Sequence, residues 1–308
     1  MPAVARPLRP LSRLARSIAL SLACAAAGPA PALVINASFG AGVDPAAQSV
    51  ILGTIDIYEA LFSDNITLGI RFENMNTGLG QSSTNIYQVP YASFMDKLRA
   101  DASSPIDSLA LAHIPLGANP VNGAANIILT RATANAVGFN VPAPLNGLDA
   151  TISLNLATMN FSRLSIDPDK YDLQTVASHE IDEVLGTISG VGGSLILPVD
   201  LYRYNAAGAR SFTTLGDDAY FSIDGVNMLV RYNQNPAGDY GDYWGAGPHP
   251  VHVQDAFGTR GSFADLGVEI VALDAVGFTL AAAVPEPAPV VMLLAGLGML
   301  GWLKRRQV

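Results

Sequence analysis

Between residues 48 and 62, apolar side chains fall at Val50, Ile51, Ile55, Ile57, Ala60, Leu61 and Phe62, a spacing that predicts a buried helix. Residues 65–72 (NITLGIRF) then alternate in character and predict a strand. The same pattern predicts helices over 91–102, 106–113 and 132–137, and short strands over 125–129 and 150–155. Asp167-Pro168-Asp169 marks a turn, and Asp172 is placed to cap a helix that ends near Gly186, because Gly190, Gly192 and Gly193 follow. Beyond that helix the chain is loop-rich, with strands around 219–223 and 228–232 and a last helix or turn over 268–276. Early alternation of helix and strand followed by a long irregular half indicates an α+β fold rather than a regular βαβ series. There is no internal repeat and no long low-complexity linker, so residues 33–283 read as one domain.

The two ends have a different character. Arg6, Arg9, Arg13 and Arg16 precede a short apolar run, and the stretch closes on Ala30-Pro31-Ala32. A basic region, a short apolar region and an A-x-A site make residues 1–32 a secretory signal peptide. The only cysteine, Cys24, lies inside it, so the remaining chain has neither disulfide nor thiolate chemistry. Residues 284–308 run from Pro285-Glu286-Pro287 through an apolar segment to Lys304-Arg305-Arg306. They resemble the bacterial PEP-CTERM sorting signal, which implies a membrane-embedded sorting enzyme as a partner. The apolar segment is shorter than the ~20 residues a helical membrane span needs. Both ends together predict export to the cell envelope, surface or medium, with transient or permanent C-terminal membrane association.

Setting the ends aside sharpens the charge balance. Seven of the 17 Lys and Arg lie in the two end segments, against one of the 26 acids, which leaves ten basic and 25 acidic residues between them. Nucleic acid is not a partner for such a surface. Divalent cations are.

The candidate chemistry sits in Ser178-His179-Glu180-Ile181-Asp182-Glu183-Val184-Leu185-Gly186. His179 and Glu183 are one helical turn apart and share a face, with Glu180 on its flank. Glu180, Asp182 and Glu183 crowd three negative charges into about one turn, and no Lys or Arg stands three or four positions away. Either a cation comes from elsewhere or the carboxyl groups must hold protons. A metal ion meets that need, because His and Glu are ordinary zinc ligands. Glu180 holds the position of the general base in H-E-x-x-H metallopeptidases. The competing reading is structural: His179 and Glu183 bond each other or a distant arginine such as Arg203.

The surrounding residues resemble a known family. Thr175 to Ile181 with Val184-Leu185-Gly186, then Asp200-Leu201-Tyr202-Arg203-Tyr204, Tyr220 to Gly225, Gln254-Asp255-Ala256-Phe257-Gly258 and Ala272 to Phe278, are similar in order to secreted bacterial zinc metalloproteases. Many members of that family carry a PEP-CTERM tail. The resemblance implies a zincin-like fold, with a twisted mixed sheet and the active helix near 172–186 beneath a cleft. It implies a peptide or protein substrate, His179 as ligand and Glu180 as catalytic base. Glu183 stands where a second ligand histidine is usual, and Ser189 where a third is.

A third ligand must then come from farther along. Asp200 is the first choice, because it closely follows the glycine loop and opens the family-like segment. The alternatives are a turn-capping role for Asp200, or ligation by His249 and His252. With His179, Glu183 and Asp200 the ligand set carries two negative charges and neutralises Zn²⁺, while also suiting harder ions such as Mn²⁺ or Ca²⁺. The acidic runs 167–172 and 239–242 are further calcium candidates without a recognised loop spacing. Tyr202 and Tyr204 are candidates to stabilise an oxyanion, with packing as the alternative. Two functions follow: an exported metal-dependent peptidase, or a non-catalytic surface or matrix protein that binds cations or polysaccharide.

Overall fold

A computed structural model describes residues 33–214, 218–245 and 249–282. The signal peptide and the sorting segment lie outside the described residues. Strand β1 (Val34–Phe39) leads into helix α1 (Pro45–Leu61), which begins on a strong cap: Asp44 accepts the Ala47 amide at 2.8 Å and Pro45 opens the first turn. The helix buries Ile51, Ile55 and Tyr58 and returns the chain to β2 (Thr67–Asn74), parallel to β1. Strand β3 (Gly80–Thr84) follows, then β4 (Ile86–Pro90), α2 (Tyr91–Asp101) and α3 (Pro105–Ala112). A capping box of Ser104 and Asp107 starts α3. Strand β5 (Asn126–Thr130) pairs antiparallel with β4, and α4 (Arg131–Ala136) leads to β6 (Ala150–Leu154).

The main sheet has the order β1-β2-β6-β3, with β3 alone antiparallel, at one edge. Its inward positions, including Leu68, Ile70, Phe72, Ile152 and Leu154, are buried in the core. A buried ion pair, Arg131 to Asp149 at 2.9 Å, ties α4 to this sheet, and the other Asp149 oxygen accepts the Gly69 amide. Strands β7 (Met159–Asn160) and β8 (Tyr171–Asp172) form a short parallel pair that delivers the chain to α5 (Leu173–Asp182). Helix α5 packs on β3, β6 and α1. Three short strands, β9 (Arg203–Asn205), β10 (Ala219–Phe221) and β11 (Val230–Arg231), make a second antiparallel sheet. Helix α6 (Val268–Ala275) closes the described chain.

The architecture is a mixed α and β one, with four separate sheets among the described residues. The expected helices and strands occur close to their expected places. Strands β1, β3, β4, β7, β8 and β9 go beyond the expected ones. Strand β3 reads GQSST and has no apolar alternation to announce it.

Candidate metal centre

Helix α5 owes its start to Asp172, whose side chain accepts the Thr175 amide at 2.9 Å and is itself clamped by Arg163 at 2.6 Å. Its buried side, with Leu173, Ala177 and Ile181, faces the core. That orientation sends His179, Glu180 and Glu183 toward a cleft of about 630 Å³. At its end the helix widens into a π-type turn, Glu183–Thr187. Gly186 there has φ 145°, a conformation that favours glycine, and the Leu185 carbonyl is taken up by the hydroxyls of Thr130 and Thr133 at 3.0 and 2.7 Å.

His179 is oriented from outside the helix. Its Nδ1 lies 3.0 Å from the Val253 carbonyl, which fixes the ring and leaves Nε2 for the cleft. Around Nε2 stand Glu183 Oε1 at 3.8 Å and Asp242 Oδ1 at 3.6 Å. One ligand atom from each of His179, Glu183 and Asp242 lies within 4.8 Å of the others. Ligand atoms about 2.1 Å from a tetrahedral ion are themselves about 3.4 Å apart, so these spacings are close to those of a bound cation. Second-layer contacts hold the set: Ser82 Oγ donates to Glu183 Oε2 at 2.6 Å, and Gln254 Nε2 lies 3.1 Å from Asp242 Oδ1 and 3.2 Å from His179 Nε2.

The third donor that the structure brings beside His179 and Glu183 is Asp242, not Asp200. Asp200 serves the protein backbone instead: Oδ2 accepts the Gly190 and Leu197 amides at 2.8 Å each, and Oδ1 takes the Ser189 hydroxyl. A buried carboxylate with three donors of its own pins the glycine loop and has no need of an ion. Arg203 is not the counter-charge either. It is fully buried, lies over the Tyr232 ring at 4.3 Å and donates to the Tyr240 carbonyl. Tyr202 is buried with its hydroxyl on the Ala275 carbonyl, and Tyr204 is covered by Arg210, so both pack rather than face the cleft. His113 caps the end of α3 through the Leu109 carbonyl.

The electrostatics follow from burial without basic neighbours. Among the described residues no lysine or arginine pairs with Glu180, Glu183 or Asp242. Burial pushes Glu180 up to about 8, and the neighbouring Glu183 and Asp242 charges add to this. Burial and Glu183 likewise raise Asp242 to about 7. For His179, burial acts downward, but Asp242, Glu183 and Glu180 outweigh it and raise the imidazole to about 10. Glu180 Oε2 is buried with no hydrogen-bond partner. Carboxylates crowded around an imidazole, with an orphaned oxygen beside them, are a site made for positive charge. The donor set therefore fits a divalent ion of the zinc class.

Glu180 reaches its place because Gly80 has no side chain. A Cβ on Gly80 would fall 2.1 Å from Glu180 Oε1. Sequence reasoning missed Gly80, Asp242 and Gln254 as parts of this site. Asp242 stood in view only as one end of the acidic run 239–242.

Residues 283–307 match the PEP-CTERM protein-sorting motif. The chain is an exported protein with a C-terminal membrane-sorting signal. Its sorting segment implies recognition by a membrane sorting enzyme. No curated protein and no solved structure matches the chain. Among the described residues no helix is long and apolar enough to cross a membrane.

Proposed function

We propose that this exported protein is a metal-dependent peptidase, with His179, Glu183 and Asp242 as metal ligands and Glu180 as general base. The observation that carries the reading is the convergence of those three donor atoms in an open cleft, with Glu180 on its wall. A bound divalent ion there supplies Lewis acidity, making water a better nucleophile and a carbonyl a better electrophile. The protein's own residues supply the rest. Glu180 Oε2, free of any hydrogen bond, accepts the proton of the attacking water and returns it to the departing amine. Ser82 and Gln254 hold the ligand carboxylates, and the Val253 carbonyl keeps His179 in the tautomer that presents Nε2.

The cleft also suits an extended chain. Gly78, Leu79, Gly80, Gln81 and Ser82 line it, and β3 pairs with β6 alone among the described strands. Its free edge offers backbone donors and acceptors to a peptide lying along it. An antiparallel edge strand beside the helix that carries the ligands also supports a zincin-like reading of the fold.

Elemental mass spectrometry on the purified protein, with hydrolysis of labelled casein, tests this. Glu183→Ala and Asp242→Ala should each lower bound zinc or manganese by one equivalent and abolish hydrolysis. Glu180→Gln should keep the metal and lower the rate on the order of 10²- to 10⁴-fold. Unchanged metal content in both ligand variants would sink the site. Metal retained without any hydrolysis by the wild type would instead favour a cation-binding surface protein.

A further inference from the structure

Both ends of the described chain leave the domain at one place. Strand β1 opens beside the end of α1: the Leu33 amide donates to the Phe62 carbonyl at 3.3 Å and the Val34 amide to the Ile66 carbonyl at 2.8 Å. The other end returns to the same turn. Phe62 and Leu280 form an antiparallel bridge. The Ser63 amide donates to the Thr279 carbonyl at 2.9 Å, and the Ala281 amide to the Leu61 carbonyl at 2.8 Å. Leu33, which follows the expected signal-peptide cut, and the residues that run into the sorting motif at 283 therefore stand side by side.

That place is one end of the main sheet. Strands β1, β2 and β6 are parallel and begin there, at Val34, Thr67 and Ala150. They finish at Phe39, Asn74 and Leu154, where Gly80 pairs with Leu154. At ~3.3 Å per residue the two ends of the sheet are about 20 Å apart. The far end borders the cleft: Gly78 and Gly258 line it, both are exposed, and a Cβ on Gly258 would meet Leu79 at 2.7 Å.

The near end carries an apolar loop. No charged residue occurs from Ala132 to Leu148, a stretch that includes Val141-Pro142-Ala143-Pro144-Leu145. Arg131 fastens this loop to the start of β2. Its Nε donates to the Val141 and Pro142 carbonyls, both at 3.1 Å, and its Nη1 to the Thr67 carbonyl at 3.0 Å. The Asp149 amide closes the loop on the Gly69 carbonyl at 2.8 Å. Leu145 is fully exposed, and Val34 and Ile86 are exposed at the same end of the sheet. Charged groups built into this end turn inward: Arg131 pairs with Asp149, and Asp64 accepts the Thr279 amide.

We propose that this end, with Leu145 at the tip of its loop, rests on the lipid surface while the sorting segment holds the protein in the membrane, so that the cleft faces away from the bilayer. The inference does not depend on the chemistry of the cleft. The occupant is the bilayer rather than a second copy or another protein, because the chain itself ties this end to it. Eight residues separate Ala282 from the apolar run that starts at Val290, and they reach at most ~30 Å. A tether of that length keeps the effective concentration high, so an apolar contact too weak to hold a free domain suffices. An uncharged loop on an acidic protein has no call for anionic lipid.

The test is fluorescence quenching in the full-length protein, reconstituted into phosphatidylcholine nanodiscs with and without brominated acyl chains. Cys24 is replaced by serine, and single bimane-labelled cysteines are introduced by Leu145→Cys, Ala143→Cys and, at the cleft end, Thr259→Cys. Brominated lipid should quench the labels at 145 and 143 and leave the label at 259 bright. Leu145→Asp added to the Ala143→Cys variant should abolish quenching while the protein stays in the disc. Thermal melts show whether each variant is folded; should Leu145→Cys not fold, the label at 143 carries the same weight. Equal quenching at 259, or none at 143 and 145, overturns the proposal. A blue-shifted label at 145 that brominated lipid does not quench assigns this end to a protein partner or a second copy, and overturns it as well.

Discussion

Glu180 and Gly80 show how finely one residue sets the site. The glutamate occupies the space where any other residue at position 80 would carry its side chain. Gly80→Ala should therefore displace the base while leaving the ligands alone. A displacement on the order of 1 Å costs roughly 10²-fold in rate, so the variant should show a large loss of kcat with bound metal unchanged. Asp200 and Asp242 make a matched pair of tests. Asp200→Asn should retain the metal yet lower stability by about 1–3 kcal/mol in urea unfolding, because a carboxylate serving three donors becomes an amide. Asp242→Asn should do the reverse, losing the metal with a smaller effect on folding. At this scale, the shared face of His179 and Glu183 was legible from their i,i+4 spacing, and Glu180 from its place next to the histidine in an H-E-x-x-H-like pattern. Asp242 was not, because it enters the site from a distant loop with no periodicity. Asp200 had the better sequence context but had already given its oxygens to its own turn.

Helix α5 is held from both ends and from behind. Tyr58 of α1 directs its hydroxyl at the Ser178 carbonyl and Asp182 Oδ1, at 2.9 and 2.8 Å. Asp182 is fully buried and its carboxyl is raised well above the usual range, by burial first and by the Glu269 charge next. Tyr58→Phe should cost about 1–3 kcal/mol by leaving that carboxyl short of a partner, read as a lower midpoint in urea. Gly186→Ala is expected to cost a similar amount, about 1–3 kcal/mol, because its φ of 145° is unfavourable for alanine and a Cβ would meet Thr133 Oγ1 at 2.2 Å. Elements with a buried stripe, such as α1 and β2, were visible in the sequence. Strand β3 was invisible for a physical reason: its side chains are half-exposed or exposed and it is held by backbone pairing to β6, so no hydrophobic pattern marks it. It is nonetheless the strand that borders the cleft.

Across the whole molecule, acidity is stored in places remote from the cleft as well. Asp64, Asp101 and Asp274 are each raised to about 6, by burial first. For Asp101 and Asp274 the neighbouring Asp107 adds to the effect. A carboxyl whose folded pKa exceeds its unfolded value of about 3.8 binds its proton more tightly when folded, so the native state is favoured as the proton goes on. The penalty is absent below about pH 4 and complete above about pH 6. In chelator, the melting temperature should therefore fall as pH rises from 4 to 6.5, and Asp101→Asn should flatten that slope. A melting temperature that climbs over the same interval would contradict the burial of these groups. The mixed α and β character and the net acidity were readable from composition and pattern. The division into four sheets was not, because short strands such as β9 and β11 carry too few residues to declare a period.

The split of the candidate donors along the chain has a consequence for when the site can form. His179 and Glu183 come from one helix, but the carboxylate that completes them and the carbonyl that orients the imidazole belong to positions 242 and 253. A chain threaded across a membrane amino end first delivers the helix outside well before those partners. Under the proposed peptidase reading, the order of the donors along the chain would keep the site incomplete until the later segment has also crossed.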